Sequence, residues 1–173
     1  MEQTTGITTG SLSPLMTATS LQIMGLKGEA ATDDSIWICK THHPLVIAMQ
    51  SMFTSNKTVM IVRNPLDVFP SYASFANTMS HGNKTEFEIH SEYPEWWAWL
   101  VKRQAQNMKE FFRIIRNECL EKGRNPLYIV RYEDLILEPK ETLMGMFAFI
   151  FGEKDLIGTN AERRIDQVVA LGK

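Results

Sequence analysis

Three short, mostly β-branched apolar runs, each ending in a polar cluster, constrain this chain more than any other feature. They are residues 35–39 (Ser-Ile-Trp-Ile-Cys), 58–62 (Thr-Val-Met-Ile-Val) and 127–131 (Leu-Tyr-Ile-Val-Arg). None alternates strictly between apolar and polar, the pattern of parallel strands buried on both faces. Helical patterns fill the spaces between. One begins at Asn64-Pro65, with Asn64 as N-cap and Pro65 as first helical residue; Pro70 is expected to kink or delay it. The longest covers residues 94–122 and ends at Gly123. Its apolar face carries Trp96, Trp97, Leu100, Met108, Phe111, Phe112, Ile115 and Leu120. Further helices are expected over residues 139–151 and 161–171. A short one should run from Ser13-Pro14 to residue 24, stopped by Gly25 and Gly28. Residues 1–12 read as an irregular lead-in. Strands alternating with helices imply an α/β layer fold with a parallel sheet, whose ligands sit at the carboxyl ends of the strands.

At 173 residues the chain has the size of one domain. A composition of 44% hydrophobic and 22% charged residues excludes a collagen, a low-complexity polymer and a fully disordered chain. A net charge of -2 argues against a broad nucleic-acid-binding surface but permits a local basic pocket. No apolar stretch approaches ~18 residues, so no membrane-spanning helix is expected. The first residues have neither the basic nor the apolar region of a signal peptide, which bounds the compartment only if Met1 is the true start. Cytoplasm and Golgi lumen both stay open. Cys39 and Cys119 are too few for a disulfide framework and read as buried thiols.

The three run ends carry the chemistry. The first leads into Lys40-Thr41-His42-His43, the second into Arg63-Asn64-Pro65-Leu66-Asp67 with Ser71 beyond, the third into Arg131-Tyr132-Glu133-Asp134. Cations, a helix N-terminus and a hydroxyl at one sheet edge make an anion site. A histidine in that cluster titrates near neutral pH and can serve as a base. The residues therefore point to a phosphate- or sulfate-bearing ligand with a base beside it.

These residues resemble a PAPS-dependent sulfotransferase, PAPS being 3'-phosphoadenosine-5'-phosphosulfate. The resemblance rests on Lys40-Thr41-His42, on Arg63-Asn64-Pro65-Leu66-Asp67 with Ser71, and on Tyr132-Glu133-Asp134-Leu135 with Pro139-Lys140. It covers about residues 1–152. The Arg-Asn-Pro-x-Asp-x-x-x-Ser pattern with its downstream Tyr-Glu-Asp-Leu is the specific part; Lys-Thr-His alone is weak. Residues 5–11 and 25–29 are similar to the sulfotransferase domains found with WSC modules and their protist relatives. The resemblance implies a three-layer parallel sheet of the P-loop nucleotide-hydrolase type. It implies that His42 takes the proton from an acceptor hydroxyl and that Lys40 steadies charge on the moving sulfuryl group. Arg63 and Ser71 would hold the donor's 3'-phosphate, and Tyr132 would lie against the adenine. PAPS would be the co-substrate, with no metal, and the acceptor a carbohydrate or small molecule.

One departure stands out. The family holds the 5'-phosphosulfate in a Lys/Arg-Ser-Gly-Thr/Asn loop, upstream of the segment that here begins at Thr5. No such pattern occurs in these residues, and no Gly-x-x-x-x-Gly-Lys-Ser/Thr either. The expectation is a single partial sulfotransferase domain over residues 1–173, lacking the first strand and that loop, with Met1 internal to a longer enzyme.

Each site residue also has a plainer reading. Lys40 and His42 are compatible with a solvated strand end. Arg63 can pair with Asp67, and Tyr132 can pack a strand end. Trp96, Trp97 and Trp99 suit a core as well as a sugar-stacking surface. Asn56-Lys-Thr58 and Asn83-Lys-Thr85 match the N-glycosylation pattern, which matters only in a lumen. Two rival functions remain beside the enzyme. One is a non-catalytic 3'-phosphoadenosine-binding module. The other is a phosphoryl-transferring P-loop kinase relative, disfavoured by the missing Walker residues.

Overall fold

The computed structural model describes residues 8–11, 22–23, 28–29, 36–41, 56–78, 88–117 and 125–172. In chain order these form β1 (Thr9–Ser11), β2 (Gly28–Glu29), β3 (Ile38–Lys40), β4 (Thr58–Val62), α1 (Pro65–Thr78), α2 (Ile89–Glu92), α3 (Pro94–Ile115), β5 (Leu127–Arg131), α4 (Tyr132–Leu137), α5 (Pro139–Phe151) and α6 (Asn160–Leu171). The chain divides into two compact units, one of Met1–Lys57 with Asp134–Lys173, the other Thr58–Glu133.

In the first unit β1 is the middle strand of a parallel sheet ordered β2-β1-β3. Gly10 pairs with Gly28 on one side and Cys39 on the other. This corrects two expectations. Residues 1–12 are not wholly irregular, because Thr9–Ser11 is a strand, and Gly28 belongs to β2 instead of stopping a helix. The reason lies in the glycines. A methyl group on Gly28 would run into the carbonyl oxygen of Thr9, and one on Gly10 into that of Gly28. The strands approach here because side chains are absent, which erases the β-branched signal that marks a strand in sequence. Ile36 closes over both glycines, its side chain 2.9 Å from where a Gly28 β-carbon would lie. That is why the apolar run at residues 35–39 pairs later than expected, at Ile38–Lys40. Its first isoleucine packs instead of pairing. Trp37 stacks on Phe151 at 5.5 Å between ring centroids. Of the helix expected over residues 13–24, Gln22 and Ile23 are helical, and the rest lies outside the described residues.

The same unit holds α5 against α6. Met146, Phe147, Ala148, Leu156 and Ile165 are buried there. Helix α5 ends as a glycine-capped helix should. Gly152 is left-handed at φ 78, and the Gly152 and Glu153 N–H groups both donate to the Ala148 carbonyl, at 2.9 and 3.0 Å. The Lys57 Nζ donates to the carbonyls of Phe149 (2.7 Å) and Ile150 (3.0 Å), a cation on the negative end of the helix.

In the second unit β4 and β5 pair in parallel along five rungs, from Thr58↔Leu127 to Val62↔Arg131. Met60 and Val130 are buried, but Ile61 and Ile129 stay exposed. Burial on both faces is therefore incomplete. Helix α1 starts at Pro65 as expected and runs on through Pro70. Pro70 has no N–H for the Leu66 carbonyl, yet Leu66 is 75% exposed, so water can take up that acceptor. Ala73 of α1, Ile89 of α2 and Leu100 of α3 form a buried cluster with Trp97 against it. Helix α3 covers Pro94–Ile115, with a π-helical turn following at Arg116 and Asn117; the end expected at residues 122–123, with Leu120 and Gly123, lies outside the described residues.

Candidate active site

The β4–β5 ladder decides what meets at its carboxyl end. Arg63 follows β4 and Tyr132 follows β5, one residue past the last rung on each side. The Arg63 guanidinium carbon lies 4.7 Å from the centroid of the Tyr132 ring. This is a cation over an aromatic face, and it orients a fork of donors while leaving its edge to solvent. One residue further, the Asn64 N–H donates to Glu133 Oε1 at 2.8 Å, a sequence separation of 69. Val62 and Arg131 are the same distance apart in sequence. Both contacts thus fall at the same sequence offset as the ladder, just past its last rung.

Asn64 also caps α1. Its Oδ1 accepts from the Leu66 N–H at 3.0 Å, and its carbonyl accepts from Asp67 and Val68 at 3.0 and 3.1 Å. The positive end of α1 therefore opens directly beside Arg63. Ser71 is exposed on α1, about two turns past the cap and near the same side of the helix. Among the described residues no ion pair joins Arg63 to Asp67.

Glu133 is the anion of this cluster. Its carboxyl is held below the ordinary carboxylate range, first by the Asn64 N–H, with Arg131 and Arg63 adding favourable charge. Its Oε2 lies 4.0 Å from the Arg131 Nε. Sequence reasoning passed over Glu133 as part of a polar run. The signal was available in the register: a parallel pairing of residues 62 and 131 places 64 opposite 133. The short helix α4, which carries Tyr132 and Glu133, was also not anticipated; six residues are too few to show a helical period.

Lys40 is the last residue of β3, exposed, opposite Ser11 in the first unit's sheet. His42 lies outside the described residues, as does His43. The structure therefore brings Arg63 and Tyr132 together and places Ser71 on the helix that begins beside them. Of the aromatic residues on α3, Trp97 packs against the core cluster, while Trp96 and Trp99 are exposed. Among the described residues no group of three or more His, Cys, Asp or Glu side chains is placed to hold a metal ion.

A family model described as the sulfotransferase domain matches residues 12–168. The chain belongs to the sulfotransferase family. The matched stretch contains every residue placed above, from Lys40 to Glu133. No curated protein and no solved structure matches the chain. A sulfotransferase domain implies a P-loop-like α/β fold, and the parallel strands and intervening helices agree with it. It also implies sulfuryl transfer to an acceptor substrate. Among the described residues of this sulfotransferase, no helix is long and apolar enough to cross a membrane.

Proposed function

We propose that this sulfotransferase takes its sulfuryl group from PAPS and transfers it to a hydroxyl of a carbohydrate or small molecule. The observation that carries the reading is the exposed Arg63 guanidinium, seated on Tyr132 at the start of α1. A planar fork beside a helix N-terminus suits a dianionic phosphate. Arg63 and Ser71 would bind the 3'-phosphate, and Tyr132 would contact the adenine beside it. His42 would accept the proton of the acceptor hydroxyl as its oxygen attacks sulfur. The bond from sulfur to the 5'-phosphate oxygen breaks, and 3',5'-ADP leaves with the electron pair. Lys40 would steady the charge on the moving group. No role is assigned to a metal ion. The exposed rings of Trp96 and Trp99 support a carbohydrate acceptor, since each offers an apolar face for a sugar.

The test is a thermal melt with 3',5'-ADP, followed by an assay of labelled sulfate transfer from PAPS. Ligand at ~100 times its dissociation constant adds about 2.7 kcal/mol, which at roughly 2–4 °C per kcal/mol for this size raises the midpoint by roughly 5–11 °C. Turnover that His42→Ala abolishes, with the thermal shift retained, supports the full reading. A shift without turnover assigns a 3'-phosphoadenosine-binding module instead. No shift removes both.

A further inference from the structure

We propose that Glu133 is the positioning residue of the phosphate site: by holding the Asn64 N–H it fixes the corner from which Arg63 reaches the 3'-phosphate. The proposal rests on the donor-binding reading above.

The argument starts from the helix cap. An N-cap residue has its own N–H to satisfy, and in a capping box the third helical residue, Glu or Gln, reaches back to it. In α1 that third residue is Asp67, one methylene shorter, and the Asn64 N–H goes to Glu133 at 2.8 Å. The box is closed from another element. Closing it this way ties the start of α1 to the residue after Tyr132, and Tyr132 carries the Arg63 guanidinium on its ring. Two consecutive residues of α4 thus grip two consecutive residues after β4, one by a carboxylate and one by a π face. The Glu133 side chain is 27% exposed, and its second oxygen faces Arg131 at 4.0 Å. Each carboxylate oxygen therefore has a task, and neither touches the exposed edge of Arg63 that would meet the phosphate. A guanidinium held before the ligand arrives loses less freedom on binding, so the benefit appears as affinity for the group it faces.

Charge alone predicts the opposite. Glu133 is an anion near Arg63, so removing it without other effect would strengthen anion binding. The two accounts separate on three variants titrated with 3',5'-ADP and with 5'-AMP, which lacks the 3'-phosphate. The wild type is expected to prefer 3',5'-ADP. Glu133→Ala is expected to narrow that preference by about tenfold, with 5'-AMP affinity unchanged. Glu133→Gln keeps an oxygen for the Asn64 N–H and is expected to retain the preference within about threefold. Should Glu133→Ala fail to fold, Glu133→Asp keeps the charge, shortens the reach, and is expected to narrow the preference in the same way. An unchanged preference in these variants overturns the role of Glu133 and leaves the 3'-phosphate reading intact. Equal losses for both nucleotides also overturn it, because they mark a merely structural residue. A wild type with no preference overturns the phosphate reading itself, and this proposal with it.

Discussion

The two parallel sheets are held by opposite means. β4 and β5 pair over five rungs built largely from Val, Ile, Met, Leu and Tyr. β1 pairs over two and three rungs, and its centre is Gly10 facing Gly28. One ladder is specified by side chains that are present, the other by side chains that are missing. Pattern-based reasoning detects the first kind and is blind to the second. The contrast also reaches function. The side-chain ladder ends beside two contacts at its own sequence offset, Arg63 with Tyr132 and Asn64 with Glu133, and so delivers a built site.

The largest effect that tests this contrast is Gly28→Ala. A β-carbon there meets the backbone oxygen of Thr9, and backbone cannot rotate away as a side chain does. The expected cost is at or above ~3 kcal/mol, the upper end for overpacking. Amide exchange over residues 9–11 and 38–40 reads it directly, as lost protection. The matched change in the other ladder is Val59→Ala. It removes two methyl groups from a half-buried position and is expected to cost roughly 1–2 kcal/mol. Equal costs at the two sites would break the comparison.

Next comes Arg63. Arg63→Ala is expected to weaken 3',5'-ADP binding by ~1.5–3 kcal/mol, about 10- to 100-fold, the range for bonds to a charged group. Arg63→Lys keeps the charge but loses the fork and its seat on Tyr132, so most of the loss should remain. A lysine variant that binds like wild type would show that only net charge matters. Ser71→Ala, which deletes one hydroxyl, should cost ~0.5–1.5 kcal/mol in the same titration.

What was legible follows the same division. The β4 and β5 bounds, the start of α1 at Asn64-Pro65, and the helices over α5 and α6 all lie where apolar runs or capping residues announce them. β1 and β2 were hidden because glycine carries no pattern. β3 was displaced because Ile36 looks like a strand residue while serving as a lid over two glycines. Arg63, Ser71 and Tyr132 were visible as polar residues at run ends. Glu133 was visible only as one of several, since its partner is a backbone N–H, and a backbone group has no letter in the sequence.

In α6 the cap is local and the expected effect is smaller. The Thr159 Oγ1 accepts from the Glu162 N–H at 3.3 Å and donates to the Leu156 carbonyl at 2.6 Å. Thr159→Ala is expected to cost about 1 kcal/mol in a urea or thermal melt. Thr159→Ser keeps both bonds and should recover most of it. A full loss with serine would place the effect in the methyl group instead of the cap.

The smallest expected effect compares the two carboxylates that take a backbone N–H near a helix start. Glu162 accepts from Gly158 at 2.7 Å, with the Lys140 Nζ at 3.1 Å; Glu133 accepts from Asn64 with Arg131 at 4.0 Å. Both carboxyls lie below their ordinary value of 4.5, each held down first by its backbone N–H. A depressed carboxyl contributes stability that is present above its ordinary value and lost as pH falls through its folded one. Both sites therefore weaken in acid. Lys140 differs: Asp166 first and then Glu162 raise it above its ordinary 10.5. Its contribution is complete below that value and is lost as pH rises through the higher folded one. Of these two clusters, only the one around Lys140 carries an alkaline limit. Glu162→Gln should flatten the acid side of a melting-point profile, and Lys140→Gln the alkaline side, while Glu133→Gln should flatten the acid side alone. The shifts should be small, because these pairs are exposed and screened by salt. An alkaline change in Glu133→Gln would break the comparison between the two carboxylates.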